Sequence, residues 1–276
     1  MVTGGNGQLG HDVVLKLKEL NINVIAPGRD DFDLTNREQI QKYIFKEKPD
    51  VIIHCAAYTA VDKAEDEKDI CYSINLEGTR FIAETAKQIN AKLVYVSTDY
   101  VFDGLGEEPH SEDKETKPVN YYGYTKEQGE KIVRAILDNY FIVRTSWVYG
   151  SNGNNFVKTM LKLAESRNEL NVVSDQIGAP TYTKDLADFI INLVKTNQYG
   201  IYHGVNEGYC SWYEFAKTIF EKSGIEMKIN PISTKEYPTK AARPLNSKLS
   251  KRNTDKAGIS RLPHWEDAIS RFISEL

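Results

Sequence analysis

Cysteine and methionine are scarce, with three of each in 276 residues. Cys55, Cys71 and Cys210 are odd in number, far apart and never form a CxxC pair. That leaves no basis for a disulfide framework or a thiolate zinc site. Cys55 lies in the apolar string "VIIHCAAY" and is expected to be a buried free thiol. Neither His11 nor His54 has a partner at metal-ligand spacing, so no metal centre is expected from these residues. No apolar run approaches the roughly 18 residues that a membrane-spanning helix needs, and no membrane association is expected. Positive charge is not in excess either. The formal net charge of -4 speaks against general nucleic-acid binding, although a local basic site is compatible with it. No internal repeat, low-complexity tract or signal-peptide pattern is found, so a reducing, cytoplasmic setting is expected.

What is present is an ordinary globular composition, 41% hydrophobic and 27% charged, long enough for one large domain or a domain with a smaller lobe. Short β-branched apolar runs at Val2–Thr3, Asn23–Ala26, Val51–His54, Leu93–Ser97 and Phe141–Arg144 read as strands. Amphipathic patterns over roughly 8–20, 36–47, 68–90 and 120–138 read as helices between them. Near-continuously apolar strands alternating with helices predict an α/β fold, a doubly wound parallel sheet covered on both faces. Beyond about residue 150 the rhythm loosens into the loop-like "GSNGNNF" and "DQIGAPTY", with helices expected at 154–165, 184–196, 212–223 and 264–275. The expected division is a dinucleotide-binding domain over 1–150. Residues 151–276 then form mainly a smaller substrate-binding lobe, parts of which return to the first domain. The first strand is short for a central strand, which usually has about five residues. One reading is that a few native residues precede Met1.

The string "VTGGNGQLGHDVV" places Gly4, Gly7 and Gly10 as GxxGxxG, directly after a strand and at the opening of a helix. Glycine permits positive φ and lets a pyrophosphate approach the backbone, while the helix start offers unpaired N–H groups and the positive end of its dipole. A tight turn alone would also fit, but the strand-to-helix setting favours a dinucleotide. The second strand ends "VIAPGRDD", with Gly28 where a ribose-binding carboxylate could stand and Arg29 next to it. A guanidinium pairs well with a 2′-phosphate, so NADPH is expected ahead of NADH. Asp30 or Asp31 could bind ribose instead.

Three tyrosines crowd the string "YYGYTK", residues 121–126, and only Tyr122 stands four residues before the lysine. On a helix, Tyr122 and Lys126 would share a face. An ammonium there would lower the phenol's pKa and tune it as a proton donor to a carbonyl. A packing tyrosine beside a surface lysine is the alternative. Upstream, "LVYVSTDYVFDG" is a strand running into Ser97, Thr98 and Asp99, which brings hydroxyls to the sheet edge where a ligand would sit. A strand-end turn cap is the other reading of those hydroxyls.

Taken in order, GxxGxxG, a strand-end Ser-Thr and YxxxK resemble the extended short-chain dehydrogenase/reductases. The strings "HCAAYTAVDKAE", "INLEGT", "STDYVFDG", "YYGYTK", "RTSWVYG", "NNFVKTM", "DQIGAPTY" and "ARPLNS" are similar to those of the dTDP-4-dehydrorhamnose reductase family. The match runs from Gly4 to Ser247. The resemblance implies a Rossmann-like fold and reduction of a nucleotide sugar's 4-keto group by NADPH, the last step of dTDP-L-rhamnose synthesis. It implies Tyr122 as proton donor, Lys126 on the nicotinamide ribose lowering the Tyr122 pKa, and Thr98 on the substrate oxygen. Gly7, Gln8 and Leu9 would form the phosphate turn, Asp33 and Leu34 would lie by the adenine, and Ala56, Ala57 and Tyr58 would lie along the dinucleotide. Tyr121 and Tyr124 are then spectators or pocket walls.

For the sugar nucleotide the resemblance points to Tyr100, Trp147, Asn155, the segment from Gln176 through Pro180 to Thr181, and Arg243 on the diphosphate. Trp147 as core and Asn155 as a helix cap stay open as alternatives. The family has also been associated with Mg2+ held by acidic residues at a dimer contact. Asp12 could serve, but Lys184 precedes Asp185 where another acid would be wanted, and hydride transfer with a tyrosine acid needs no metal. A monomer and a homodimer are both compatible with the sequence. The rival readings are another nucleotide-sugar reductase, epimerase or dehydratase, and a non-catalytic NADP-binding regulatory subunit of the same fold. The intact Thr98, Tyr122 and Lys126 weigh against the last.

Overall fold

The computed structural model describes residues 1–276. Eleven strands are formed: β1 (Val2–Thr3), β2 (Val51–His54), β3 (Lys92–Thr98), β4 (Tyr140–Thr145), β5 (Val148–Tyr149), β6 (Glu169–Val173), β7 (Ile177–Gly178), β8 (Thr181–Tyr182), β9 (Gly200–His203), β10 (Cys210–Ser211) and β11 (Lys228–Ile232). The α-helices are α1 (Gln8–Glu19), α2 (Arg37–Glu47), α3 (Val61–Ala64), α4 (Lys68–Tyr72), α5 (Thr79–Gln88), α6 (Tyr121–Ile136), α7 (Phe156–Ala164), α8 (Thr183–Val194), α9 (Trp212–Ser223), α10 (Arg252–Lys256) and α11 (Trp265–Ser274).

The main sheet is parallel throughout, in the order β1-β2-β3-β4-β9. Side chains alternate across it because successive residues of a strand point to opposite faces. Ile52, Leu93, Tyr95 and Ile142 pack with α2, α5 and α6 on one face. Val2, Ile53, Val94, Phe141 and Val143 pack with α1 and α8 on the other. The fold is therefore the expected doubly wound α/β sheet. Residues 23–26 flank β1 on the side away from β2, joined through Val2 N–H to Ile25 O at 2.8 Å. After β1 the chain thus goes to one edge and returns to β2 on the other side. That reversal makes the C-terminal ends of β1 and β2 the switch point, where such sheets bind ligands.

Several expectations need correction. Asn23–Ala26 is not a strand: β1 offers only two residues, and a single ladder bond does not hold the segment extended. The predicted helix over 68–90 is α4 and α5 joined by a π-helical turn, Ser73–Gly78. "DQIGAPTY" contains β7 and β8, and the parallel pair β6–β11 was not anticipated. Beyond residue 150, β9 completes the main sheet and α8 covers it, while a second core gathers Val157, Leu170, Phe215, Ile219 and Phe272 around Tyr149 and Tyr182. No helix is long and apolar enough to cross a membrane.

α6 is fastened to the sheet by buried charge. Glu130 accepts from Arg144 Nε at 2.8 Å, from Arg144 Nη2 at 2.6 Å and from Ser97 Oγ at 2.6 Å. Arg144, on β4, is only 2% exposed. Such a pair contributes modestly over an apolar filling, but breaking it strands a buried charge. Glu130→Ala is therefore expected to cost about 3–5 kcal/mol, read as a lower urea midpoint. Replacing both partners, Glu130→Leu with Arg144→Met, should recover most of the loss. An unchanged midpoint in Glu130→Ala would contradict the role given to the pair.

Candidate active site

The glycine turn is held by close backbone packing. Gly4 has φ +68, and a Cβ there would lie 2.8 Å from Ala56 N; one on Gly10 would lie 2.2 Å from Gly4 O. Those two positions admit no side chain, so β1, the turn and the end of β2 meet in backbone contact. Gly7 precedes α1 with no side-chain cap, and the first helical turn carries no acidic residue. The N–H groups of Gln8, Leu9 and Gly10 therefore have no intrahelical acceptors, as suits an anion. Asn152 Nδ2 clamps the turn from outside through Asn6 O at 2.7 Å.

Around the expected adenosine end, Arg29 is exposed and forms no ion pair. Asp31 is committed locally, accepting Gly28 N–H at 2.7 Å. Asp33 accepts Thr35 N–H at 2.8 Å, and half-buried Leu34 packs its carbonyl against Gly78. Half-buried Ala56, Ala57 and Tyr58 leave the end of β2. Tyr58 N–H is fixed by Asn75 Oδ1 at 2.8 Å, and Asn75 Nδ2 also reaches Thr125 Oγ1 on α6 at 3.0 Å. Sequence reasoning missed Asn75. A polar residue inside "INLEGT", on a segment read as one long helix, was the available signal, and the π-helical turn that aims it inward has no sequence mark of its own.

The Thr98–Tyr122–Lys126 constellation comes together where β3 meets the start of α6. Asn120 caps α6, accepting Gly123 N–H at 2.8 Å. Gly123 lies so near the Tyr100 carbonyl that a Cβ would sit 2.1 Å from it. This contact lays the first turn of α6 on the Asp99–Val101 turn, and the Tyr100 and Tyr122 rings meet edge-on at 6.0 Å. Lys126 is 2% exposed; its Nζ donates to Val96 O at 2.7 Å and lies 4.0 Å from the centroid of the Tyr95 ring. Burial lowers its pKa to about 7, with the Glu130 carboxylate pulling the other way. Tyr121 and Tyr124 pair with each other at 5.8 Å, and Tyr124 is exposed.

One electrostatic expectation is reversed. Lys126 was expected to lower the Tyr122 pKa, yet burial raises it strongly, the Asp99 carboxylate adds to the rise, and Thr98 opposes it. The reason is geometric: the ammonium is drawn to Val96 O and the Tyr95 ring, and desolvation of the phenol dominates. Cys55 is a free thiol as expected, but half-buried and not fully buried, and desolvation of its sulfur pushes it up to about 12.

The expected sugar-nucleotide residues divide. Trp147 has φ +47, a backbone state that costs a bulky residue about 1–3 kcal/mol and that marks functional positions. Its ring stacks on Trp212 at 3.6 Å, and Trp212 Nε1 donates to Gln176 Oε1 at 3.2 Å. Trp212, which opens α9, was not singled out from sequence. Pro180 is buried in the segment leading to β8, and Gly178, two residues earlier, lies against the Trp147 ring. Asn155 is the helix cap its alternative described: Oδ1 accepts Lys158 N–H at 3.1 Å, and Nδ2 donates to Gln8 Oε1 and Gly150 O at 3.0 and 2.9 Å. Its polar atoms are thus engaged in structure. Arg243 is held by Asp62, Nη2 to Oδ2 at 2.6 Å, so it faces the cleft already paired.

The residues around Asp12 do not fit a resident divalent cation. The Asp12 carboxylate accepts the Thr183 hydroxyl and lies 3.3 Å from His11 Nδ1. Lys184 pairs with Glu275 at 2.6 Å, and no three acidic, histidine or cysteine side chains gather as a metal cluster.

A doubly wound sheet with a glycine turn at its switch point, and a threonine, tyrosine and lysine at the next strand end, defines an extended short-chain dehydrogenase/reductase. A family model described as "RmlD substrate binding domain" matches residues 1–276, and the chain belongs to that family. It is 45% identical over 275 residues to the spore coat polysaccharide biosynthesis protein SpsK of Bacillus subtilis, covering all of this chain and 96% of that protein. It is 39% identical over 290 residues to the dTDP-4-dehydrorhamnose reductase of Escherichia coli, covering 100% and 97%. Among solved structures, that of dTDP-4-dehydrorhamnose reductase from Bacillus anthracis in complex with NADP superposes with TM-score 0.97 at 44% identity, over 100% of this chain and 98% of that one.

The buried Lys126 gives a stability signature. Its folded pKa, about 7, lies below the ordinary 10.5, so between those values the unfolded chain binds the extra proton. Stability attributable to this group therefore rises as pH increases through that window, by a few kcal/mol. Lys126→Met should lose this rise; denaturation midpoints of both proteins at about pH 7 and about pH 9.5 test it. Parallel changes in the two would remove the assignment.

Proposed function

We propose that the chain reduces the 4-keto group of dTDP-4-dehydro-6-deoxy-L-mannose with NADPH, giving dTDP-L-rhamnose in the cytoplasm. The observation that carries this reading is the Thr98–Tyr122–Lys126 constellation, two of its members buried and Tyr122 half-buried, beside an uncapped helix N-terminus at the switch point. The end-to-end likeness to dTDP-4-dehydrorhamnose reductases supports the choice of sugar.

The residues fit a dinucleotide. The α1 N-terminus would take the pyrophosphate, exposed Arg29 the 2′-phosphate, and the Ala56–Tyr58 segment the length of the molecule. When bound, NADPH supplies the hydride. Tyr122, half-buried overall, holds its proton firmly because its phenol is desolvated and lies near the Asp99 carboxylate, and it releases that proton to a stronger base, the alkoxide emerging at C4. Lys126, anchored to β3, sits one turn along α6 and fixes the helix face that presents Tyr122. Thr98 orients the carbonyl oxygen. Residues 151–276 contribute mainly substrate contacts: Trp212, stacked on Trp147 at the end of the first domain, completes an aromatic wall for a nucleobase, and Arg243 offers a cation for the diphosphate, in exchange for part of its bond to Asp62.

Two measurements check these roles. Tyr122→Phe should lower kcat by about 10²-fold or more, followed as NADPH oxidation at about 340 nm with the keto-sugar. Turnover close to wild type would sink the role of Tyr122. Arg29→Ala should raise KM for NADPH much more than KM for NADH, and equal effects would refute the 2′-phosphate contact.

A further inference from the structure

We propose that Asp99 is a positioning residue that sets which way the Thr98 hydroxyl points, and thereby how strongly the substrate's carbonyl oxygen is polarised. The inference rests on the reductase reading above and adds a fourth residue to its proton-handling groups. A threonine hydroxyl has one proton to give. In this structure Thr98 gives it to Asp99 Oδ1 at 2.9 Å, while the Thr98 oxygen accepts Tyr100 N–H at 3.2 Å. With Asp99 ionised, Thr98 can therefore only accept on the side facing the cleft. It has no proton with which to polarise a carbonyl.

The environment of Asp99 favours the opposite state. The residue is 3% exposed, and its second oxygen, Oδ2, is buried with no hydrogen-bond partner. An orphaned carboxylate oxygen is costly, whereas a protonated carboxyl places a hydroxyl there at less expense. Burial raises the pKa to about 6, opposed without being cancelled by the Thr98 hydroxyl, the local backbone N–H groups and the nearby Ser247 hydroxyl, which approaches the carboxyl without making a well-formed hydrogen bond to Oδ2. The groups facing it are Thr98 and Tyr100 on its own turn, Tyr122 from α6 and Ser247 from the C-terminal segment. Arg243, from the same segment, acts on the adjacent Tyr100. A bound nucleotide sugar brings negative charge and expels water, which moves Asp99 further towards its neutral form.

Once protonated, Asp99 donates to the Thr98 oxygen, and the Thr98 proton turns to the substrate's carbonyl oxygen. The Asp99 proton is not consumed. The proton that ends on C4–OH comes from Tyr122, and the hydride from the dinucleotide. Asp99 touches neither, so it acts only through Thr98.

The test is kcat for keto-sugar reduction across about pH 5.5 to 8 in wild type, Asp99→Asn, Thr98→Val and the double variant. Wild-type kcat should fall as Asp99 ionises, whereas the uncharged amide cannot ionise and keeps an N–H to donate. The ratio of Asp99→Asn to wild type should therefore rise about fivefold or more over this range. Tyr122 does not titrate there, and any contribution of Lys126 is common to both proteins. In the Thr98→Val background, adding Asp99→Asn should leave the profile unchanged, because the hydroxyl through which Asp99 acts is gone. A constant ratio, or an equal effect of Asp99→Asn with and without the Thr98 hydroxyl, overturns the proposal. Should Asp99→Asn fail to fold, Thr98→Val alone decides: it must lose the wild-type fall while keeping Asp99. No reduction by folded, NADPH-binding wild type would take down the reductase reading as well. Reduction with an indifferent profile would take down only this inference.

Discussion

The docking of α6 on the sheet is the constraint from which the site follows. Two consecutive turns of that helix send charge inward: Lys126 to the Val96 carbonyl on β3, and Glu130 to Arg144 on β4 and Ser97 on β3. Gly123 and Gly129 leave no side chain between the helix and Tyr100 or Tyr95, so the approach is as close as backbone allows. Tyr122 is consequently presented by a helix that has little freedom to roll or slide. In the proposed role of proton donor, a tyrosine placed in this way pays no orientation cost at the moment of reaction.

Desolvation acts on Tyr122, Asp99 and Lys126 in one sense. Desolvation favours neutral forms, and it raises Tyr122 and Asp99 while lowering Lys126. A site that keeps its tyrosine protonated suits a reaction in which the enzyme must give a proton away. The rest of the molecule serves that seclusion. The glycine turn and the end of β2 meet in backbone contact, Asn75 ties the strand end to α6, and the stacked Trp147 and Trp212 form a wall contributed by the later part of the chain.

Much of this was legible along the chain because the relevant physics is local. The strand-turn-helix around Gly4 and Gly10, the apolar runs of the central strands and the four-residue step from Tyr122 to Lys126 each depend on near neighbours in sequence. The errors arose where distant segments set the outcome. Residues 23–26 look like a strand, but they lack a partner long enough to pair with. The span 68–90 looks like one helix, but a π-helical turn divides it and aims Asn75 at Tyr58 and Thr125.

The sequence by itself determined the doubly wound class, the glycine turn between the first strand and helix, and which tyrosine could share a helix face with a lysine. Periodicity, glycine placement and residue chemistry are enough for those. Only the tertiary structure decided the electrostatics: that Lys126 turns to Val96 and leaves Tyr122 to desolvation, that Arg243 is already paired with Asp62, and that Asp99 is buried with one oxygen unpartnered. Those outcomes depend on burial and on contacts between residues as far apart in the chain as Asp62 and Arg243. A pKa is set by what surrounds a group in space, and no spacing in the sequence carries that information.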